Sequence, residues 1–222
     1  MDNPANPITV TAFRWVPHKA RGLVRDLRVR WALEEAGLPY RSKLIGPADQ
    51  ASAEYRAWQP FGQVPAYEQD GIILFESGAI VLHIAEQSDA LMPADAAGRA
   101  RVRTWLFAAL NSIEPWVQQL AGIDLFHSGE AWAEQHRPQV EDFVKRRLGA
   151  LADWLGDRDY LEDRYTAADL LMVTVLHNLR HTDLLAQYPT LQAYAERCHA
   201  RPAYRKALHD QLADFVPDPV AA

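Results

Sequence analysis

The 222 residues predict an α/β domain of order β-α-β-α-β-β-α followed by an all-helical domain. Three observations carry that prediction. Short β-branched and aromatic runs alternate with helical patterns over the first 88 residues, as α/β units do. After about residue 90 no run reads as a strand; apolar residues recur only at helical spacing. Between Trp58 and Glu86, two apolar runs flank Asp70-Gly71, the signature of a tight hairpin. The expected domains are therefore 1–88 and 89–222.

Each element follows in order. Residues 1–7 are polar and proline-rich, a loose tail. Ile8–Trp15 is a strand by composition. Val16–Gly22 is a loop, punctuated by Pro17 and Gly22. From about Arg21 to Ala36 the pattern is helical, with Leu23, Leu27 and Trp31 every four residues and Gly37 closing it. Tyr40–Ile45 is the second strand, and a short helix is expected around 51–58. Ala66–Glu68 and Ile72–Phe75 form the hairpin. A helix runs from Ser77 to about Gln87, with Ser77 at its N-cap. Residues 88–99 read as a linker. Helices then cover 100–119, where Pro115 introduces a kink, and 131–156, 167–181, 191–199 and 202–210.

Composition narrows the function. Half the chain is hydrophobic (49%) and 23% is charged, as in an ordinary globular protein. A net charge of −6 argues against a general nucleic-acid binder. No apolar run reaches the roughly 20 residues of a membrane helix. The start, MDNPANP, lacks the basic-then-apolar pattern of a signal peptide. A single cysteine, Cys198, forms no internal disulfide and suits a reducing, cytoplasmic setting.

The chemistry concentrates in Trp58–Glu86. Val64-Pro65, after the turn Phe61-Gly62-Gln63, is a candidate cis peptide. A cis bond there would turn the N–H and C=O of Val64 outward, ready to pair with an extended peptide. Glu76-Ser77 opens a helix, and bare N–H groups at a helix start bind anions. Together F-G-Q-V-P and E-S-G-A-I-x-x-x-I-A-E resemble the glutathione-binding half of bacterial-type cytosolic glutathione transferases. The resemblance implies a thioredoxin-like first domain. It implies that Val64, before the cis-proline, pairs with the cysteinyl backbone of glutathione. It implies that Glu76 and Ser77 hold the γ-glutamyl end, so that Gln63, Val64, Pro65, Glu76 and Ser77 form the glutathione site. The element Thr166-Ala167-Ala168-Asp169-Leu170 is a variant capping box, similar to the folding signature in the helical half of the family.

Members of that family place a Tyr, Ser or Cys just after the first strand. Residues 13–22 here contain none of these, and the loop is longer. Residues 14–30 hold instead six cations (Arg14, Lys19, Arg21, Arg25, Arg28, Arg30) against one anion, Asp26. Arg21, Arg25 and Arg28 are expected on one helical face. Trp15, Arg25 and Arg28 are the candidate thiolate-stabilising residues. The alternative is a solvated basic face paired with Glu34, Glu35 or a partner subunit. Cys198 reads as a buried inert thiol. His177 and His181 share i, i+4 spacing, but no third ligand accompanies them, so no metal is expected. Arg180, between them, is a further candidate for the cleft. Trp105, Phe107 and Trp116 lie on the first helix of the second domain, which in the family lines the acceptor pocket; at least one should face away from the core.

The resemblance thus implies a cytoplasmic, homodimeric transferase with glutathione as co-substrate. It would conjugate small hydrophobic electrophiles in a detoxification role, or reduce peroxides. The alternative is a non-catalytic ligand-binding or partner-docking protein on the same scaffold.

Overall fold

The computed structural model describes residues 7–217; the expected tail at residues 1–6 lies outside them. The chain divides into two compact units, residues 1–91 with 202–222, and residues 92–201. The boundary therefore falls at 91/92 rather than 88/89, and the final segment returns to the first unit instead of finishing the helical one. No described helix is long and apolar enough to cross a membrane.

The first unit holds a four-stranded sheet of order β2-β1-β3-β4, formed by β1 (Ile8–Phe13), β2 (Tyr40–Ile45), β3 (Ala66–Gln69) and β4 (Ile72–Phe75). β1 runs parallel to β2, from Ile8↔Tyr40 to Phe13↔Ile45, and antiparallel to β3 through Val10↔Tyr67. β1 is central and buried on both faces, Thr9 and Thr11 included. The β3–β4 hairpin turns through Asp70 (φ 50°) and Gly71 (φ 83°), both left-handed as a two-residue turn requires.

Helix α1 spans Asp26–Ala36 and ends on Gly37 at φ 67°. It starts five residues later than the periodicity suggests. Residues 18–20 form a 3-10 turn, and Gly22 at φ 78° interrupts any earlier helix. The later start places Asp26 in the first turn, where a carboxylate suits the helix dipole and arginines do not. Arg21 and Arg25 consequently precede the helix, and the expected shared face with Arg28 does not form. The short helices α2 (Pro47–Ala51) and α3 (Ala53–Trp58) follow β2, and α4 (Ser77–Ala85) follows β4.

The return of the last segment has a physical basis. The rings of Trp31 and Tyr204 meet at 4.7 Å. Asp26 accepts from Arg30 Nε at 2.8 Å and from Gln211 Nε2 at 2.8 Å, and Arg30 Nη2 donates to Asp214 at 2.7 Å. Burial pushes the Asp26 carboxyl up to about 6 while Arg30 pulls it back, so the pair is ionised at neutral pH. Arg30 loses solvation too, yet Asp26 and Asp214 hold its proton more firmly than usual.

The second unit is helical among its described residues. Helix α5 (Ala96–Phe107) is capped by Asp95, whose side chain accepts from the Gly98 N–H at 2.8 Å. It continues through a π segment, Ala108–Ile113, into α6 (Glu114–Phe126). The irregularity lies just before Pro115, which lacks an N–H and crowds the carbonyl four residues before it. Helices α7 (Ala131–Leu155), α8 (Ala167–Leu176) and α9 (Pro189–His199) complete the unit. Asp169 is buried at the start of α8, where it accepts from the N–H groups of Leu161 (2.9 Å) and Thr166 (2.8 Å) and from Tyr194 Oη (3.0 Å). Cys198 is buried. Helix α10 (Pro202–Ala213) belongs to the first unit.

Candidate functional site

The antiparallel β1–β3 pairing brings the C-terminal end of β1 beside the N-terminal end of β3. The Val64-Pro65 peptide is cis. Among the described residues, neither the N–H nor the C=O of Val64 has a backbone partner. Such an edge offers one donor and one acceptor to an extended peptide.

A buried relay supports that edge. Tyr55 Oη donates to the Gln63 carbonyl at 2.6 Å. Its only hydrogen is then used, so the Thr11 hydroxyl, 2.9 Å away, is the donor to the phenol. Thr11 Oγ1 accepts in turn from the Ala66 N–H at 2.7 Å. Residues on both sides of the cis bond thus hang from one Tyr–Thr pair. Burial raises the Tyr55 phenol above its ordinary range, and the Thr11 bond partly offsets this. Gln50 Nε2 donates to the Gly62 carbonyl at 2.8 Å. Gly62 sits at φ 65°, and a Cβ there would lie 2.7 Å from the Arg56 guanidinium. Thr11, Gln50 and Tyr55 were not singled out by the sequence; Tyr55 falls within the expected short helix at 51–58, and nothing local distinguishes a core tyrosine from a relay.

The second half of the site opens α4. Glu76, exposed and at φ 68°, occupies the N-cap without a side-chain capping bond, and Ser77 is the first helical residue rather than the cap. Ser77 is buried, and Arg28 Nη1 donates to its Oγ at 3.3 Å. Arg28 itself is only 3% exposed. A buried guanidinium behind a serine hydroxyl at a helix start concentrates positive potential there.

The remaining candidates lie on the loop after β1. Arg14 N–H donates to the Ile45 carbonyl at 2.9 Å. Trp15 is half-buried in a stretch without regular structure, and Arg25 takes the N-cap position of α1. Val24 and Phe13 pack against a cluster of Ile45, Tyr55 and Val64, which sets this loop beside the cis-proline edge.

In the second unit, His181 Nε2 meets Asp124 at 3.1 Å, while the His177 and His199 rings meet at 5.2 Å. No group of three metal-ligating side chains occurs among the described residues. Trp105 packs on Trp154 and Trp116 stacks on Phe143 at 4.2 Å, whereas Phe107 is 59% exposed. Phe107 is thus the aromatic that faces away from the core.

The glutathione S-transferase N-terminal domain model matches residues 18–86, and the C-terminal domain model matches residues 116–209. A maleylacetoacetate isomerase of Rhizobium meliloti is 34% identical over 195 residues, covering 83% of this chain and 91% of its own length. The disulfide-bond oxidoreductase YfcG of Escherichia coli is 29% identical over 191 residues, covering 79% and 86%. Among solved structures, a glutathione transferase of Burkholderia graminis with two glutathione molecules bound per subunit superposes with a TM-score of 0.79 at 28% identity, over 91% of this chain and 87% of that one. A glutathione transferase family member from Pseudomonas fluorescens Pf-5, with two glutathione bound, gives 0.79 at 26%, over 90% and 92%. With both halves matched and relatives aligned along most of their length, this chain belongs to the glutathione S-transferase family.

Proposed function

We propose that this protein is a glutathione-dependent enzyme that directs the glutathione thiolate onto small hydrophobic electrophiles. The observation that carries the reading is the pairing of two docking features in one unit. The unpartnered Val64 backbone at the cis-proline suits the cysteinyl backbone of glutathione. The Arg28–Ser77 pair at the start of α4 suits its γ-glutamyl carboxylate, and the adjacent exposed Glu76 would offer a carboxylate to the ammonium. Gln63 and Pro65 shape the edge between them.

Arg28 thereby gains a different role from the one its position in sequence suggests. Its guanidinium is engaged with Ser77, so it anchors the carboxylate end, and thiol activation falls to Trp15 and Arg25 on the loop after β1. A free thiol with a pKa near ~8.5 is only a few per cent ionised at neutral pH. An indole N–H and a guanidinium beside the sulfur would favour the thiolate. A cytoplasmic homodimer with a detoxifying role is the setting this reading carries with it.

A second reading is favoured by the relatives named isomerase and disulfide oxidoreductase. The same activated thiolate would add reversibly to an activated cis-alkene, or attack a disulfide. One experiment sorts these. Glutathione is titrated into the protein, and thiolate absorbance is followed against pH. Binding with a bound-thiol pKa well below ~8.5 is expected; an aryl halide, an activated cis-alkene and a disulfide then identify the reaction. Absence of glutathione binding would defeat the proposal.

A further inference from the structure

The loop from Arg14 to Arg25 carries both candidate thiol-activating residues, Trp15 and Arg25, but has little regular structure of its own. It contains the 3-10 stretch His18–Ala20 and a turn closed by the Leu23 N–H on the Ala20 carbonyl at 3.0 Å. Much of what fixes it comes from nearly two hundred residues away. The Val216 N–H donates to the Arg14 carbonyl at 3.0 Å. The Arg21 guanidinium lies over the Phe215 ring, 5.4 Å from its centre. Gln211 Nε2 donates to the Val24 carbonyl at 3.1 Å and to Asp26 at 2.8 Å. Asp214 accepts from Arg30 at 2.7 Å, just beyond the loop. Residues 211–216 therefore grip the loop at both ends and in the middle. All of these residues lie in the first unit.

The docking features are held by other means. Gln63 and Ala66, on either side of the cis peptide, are bonded to the Tyr55–Thr11 relay, and Ser77 to Arg28. Neither set of hydrogen bonds includes Phe215 or Val216, so a change at those two positions leaves the bonds of both docking features in place.

We propose that the segment Asp214–Val216 is a positioning strap: it sets Trp15 and Arg25 against the bound thiol and thereby controls its ionisation, without contributing to glutathione docking. The proposal rests on the glutathione-dependent reading above. Its physical basis is that activating groups act over short distances, so that a displacement of about 1 Å can lower a rate about a hundredfold.

Val216→Pro removes the N–H that Arg14 accepts and keeps an apolar side chain. The residue already precedes Pro217, which favours an extended backbone compatible with proline. Phe215→Leu removes the ring under Arg21 and serves as the second variant should Val216→Pro fold poorly. Lys206→Met is the control. It loosens α10 by removing contacts to Glu34 (2.9 Å) and Asp210 (2.6 Å) without touching the strap. The readouts are the pKa of the bound thiol, kcat, and KM for glutathione.

Both strap variants are expected to raise the bound-thiol pKa and lower kcat at neutral pH about tenfold, with KM within about twofold; Lys206→Met should change none of these. An unchanged thiol pKa and kcat in both strap variants would overturn the strap, as would a rise in KM matching the fall in kcat. These failures are distinct from failure of the functional reading, in which the unmodified protein itself would not bind glutathione or lower its thiol pKa.

Discussion

Tyr55→Phe removes a single oxygen from the support of the docking edge. That oxygen donates to the Gln63 carbonyl at 2.6 Å and accepts from Thr11 at 2.9 Å. Tyr55 is 3% exposed, so water is poorly placed to substitute. A neutral hydrogen bond contributes about 1 kcal/mol net, and a stranded buried group costs about 1–3 kcal/mol. Thr11 has the Ala66 carbonyl at 3.4 Å to fall back on, whereas the Gln63 carbonyl loses its side-chain partner. The expected loss of stability is therefore about 2–3 kcal/mol. At about 2–4 °C per kcal/mol for a chain of this size, Tm should fall by roughly 4–12 °C. The same loosening reaches Val64, one residue on. If about 1.4 kcal/mol of it appears in docking, KM for glutathione rises about tenfold. Differential scanning calorimetry and steady-state kinetics at saturating acceptor measure both. A Tm within about 1 °C of the parent with unchanged KM would refute the claim that this phenol holds the docking edge.

Two further outcomes belong to the helical unit. Burial lowers His177 to about 4, with His199 alongside adding to the effect, and burial likewise lowers His199 to about 4. Both are neutral in the folded protein, so the stability they carry is complete above the unfolded value of 6.5 and is lost as pH falls through about 4. At pH 5.5 each withholds about 1.4 kcal/mol relative to neutral pH. Urea unfolding at pH 7.5 and 5.5 should show that loss, and His199→Gln should remove about half of it; an equal loss in the variant would count against the burial argument. Asp169→Ala strands the N–H groups of Leu161 and Thr166 and the Tyr194 hydroxyl. It should cost about 3–5 kcal/mol, leaving KM for glutathione unchanged in the molecules that remain folded. A KM shift without a fall in Tm would instead make Asp169 part of the chemistry.

Legibility followed the range of the interactions involved. The Tyr40–Ile45 strand and the Asp70-Gly71 hairpin are local, and the sequence predicts the first as it stands and the second to within one residue of β3. The Thr166–Asp169 box was equally readable, because four consecutive residues contain both partners. The start of α1 was misplaced because leucine spacing continues upstream through Leu23, while a left-handed glycine and the preference of the helix dipole for Asp26 decide the boundary. The six cations were visible but their partners were not. Arg30 meets Asp214 across 184 positions and Arg28 meets Ser77 across 49, and periodicity carries no information about such pairs. The relay through Tyr55 was missed for the same reason.

The return of α10 to the first unit has a consequence for how the chain acquires its structure. On the ribosome, the sheet and its first helices emerge long before the segment that covers Trp31 and neutralises Arg30. Until Pro202–Val216 is synthesised, Asp26 and Arg30 lack Gln211 and Asp214. The helical unit, whose residues are contiguous, can complete itself first, although it is encoded second. A fragment ending near residue 91 would expose an apolar indole and part of a buried ion pair, and should aggregate or remain molten rather than form a small independent domain. The order of maturation in this protein would then be the reverse of its order of translation.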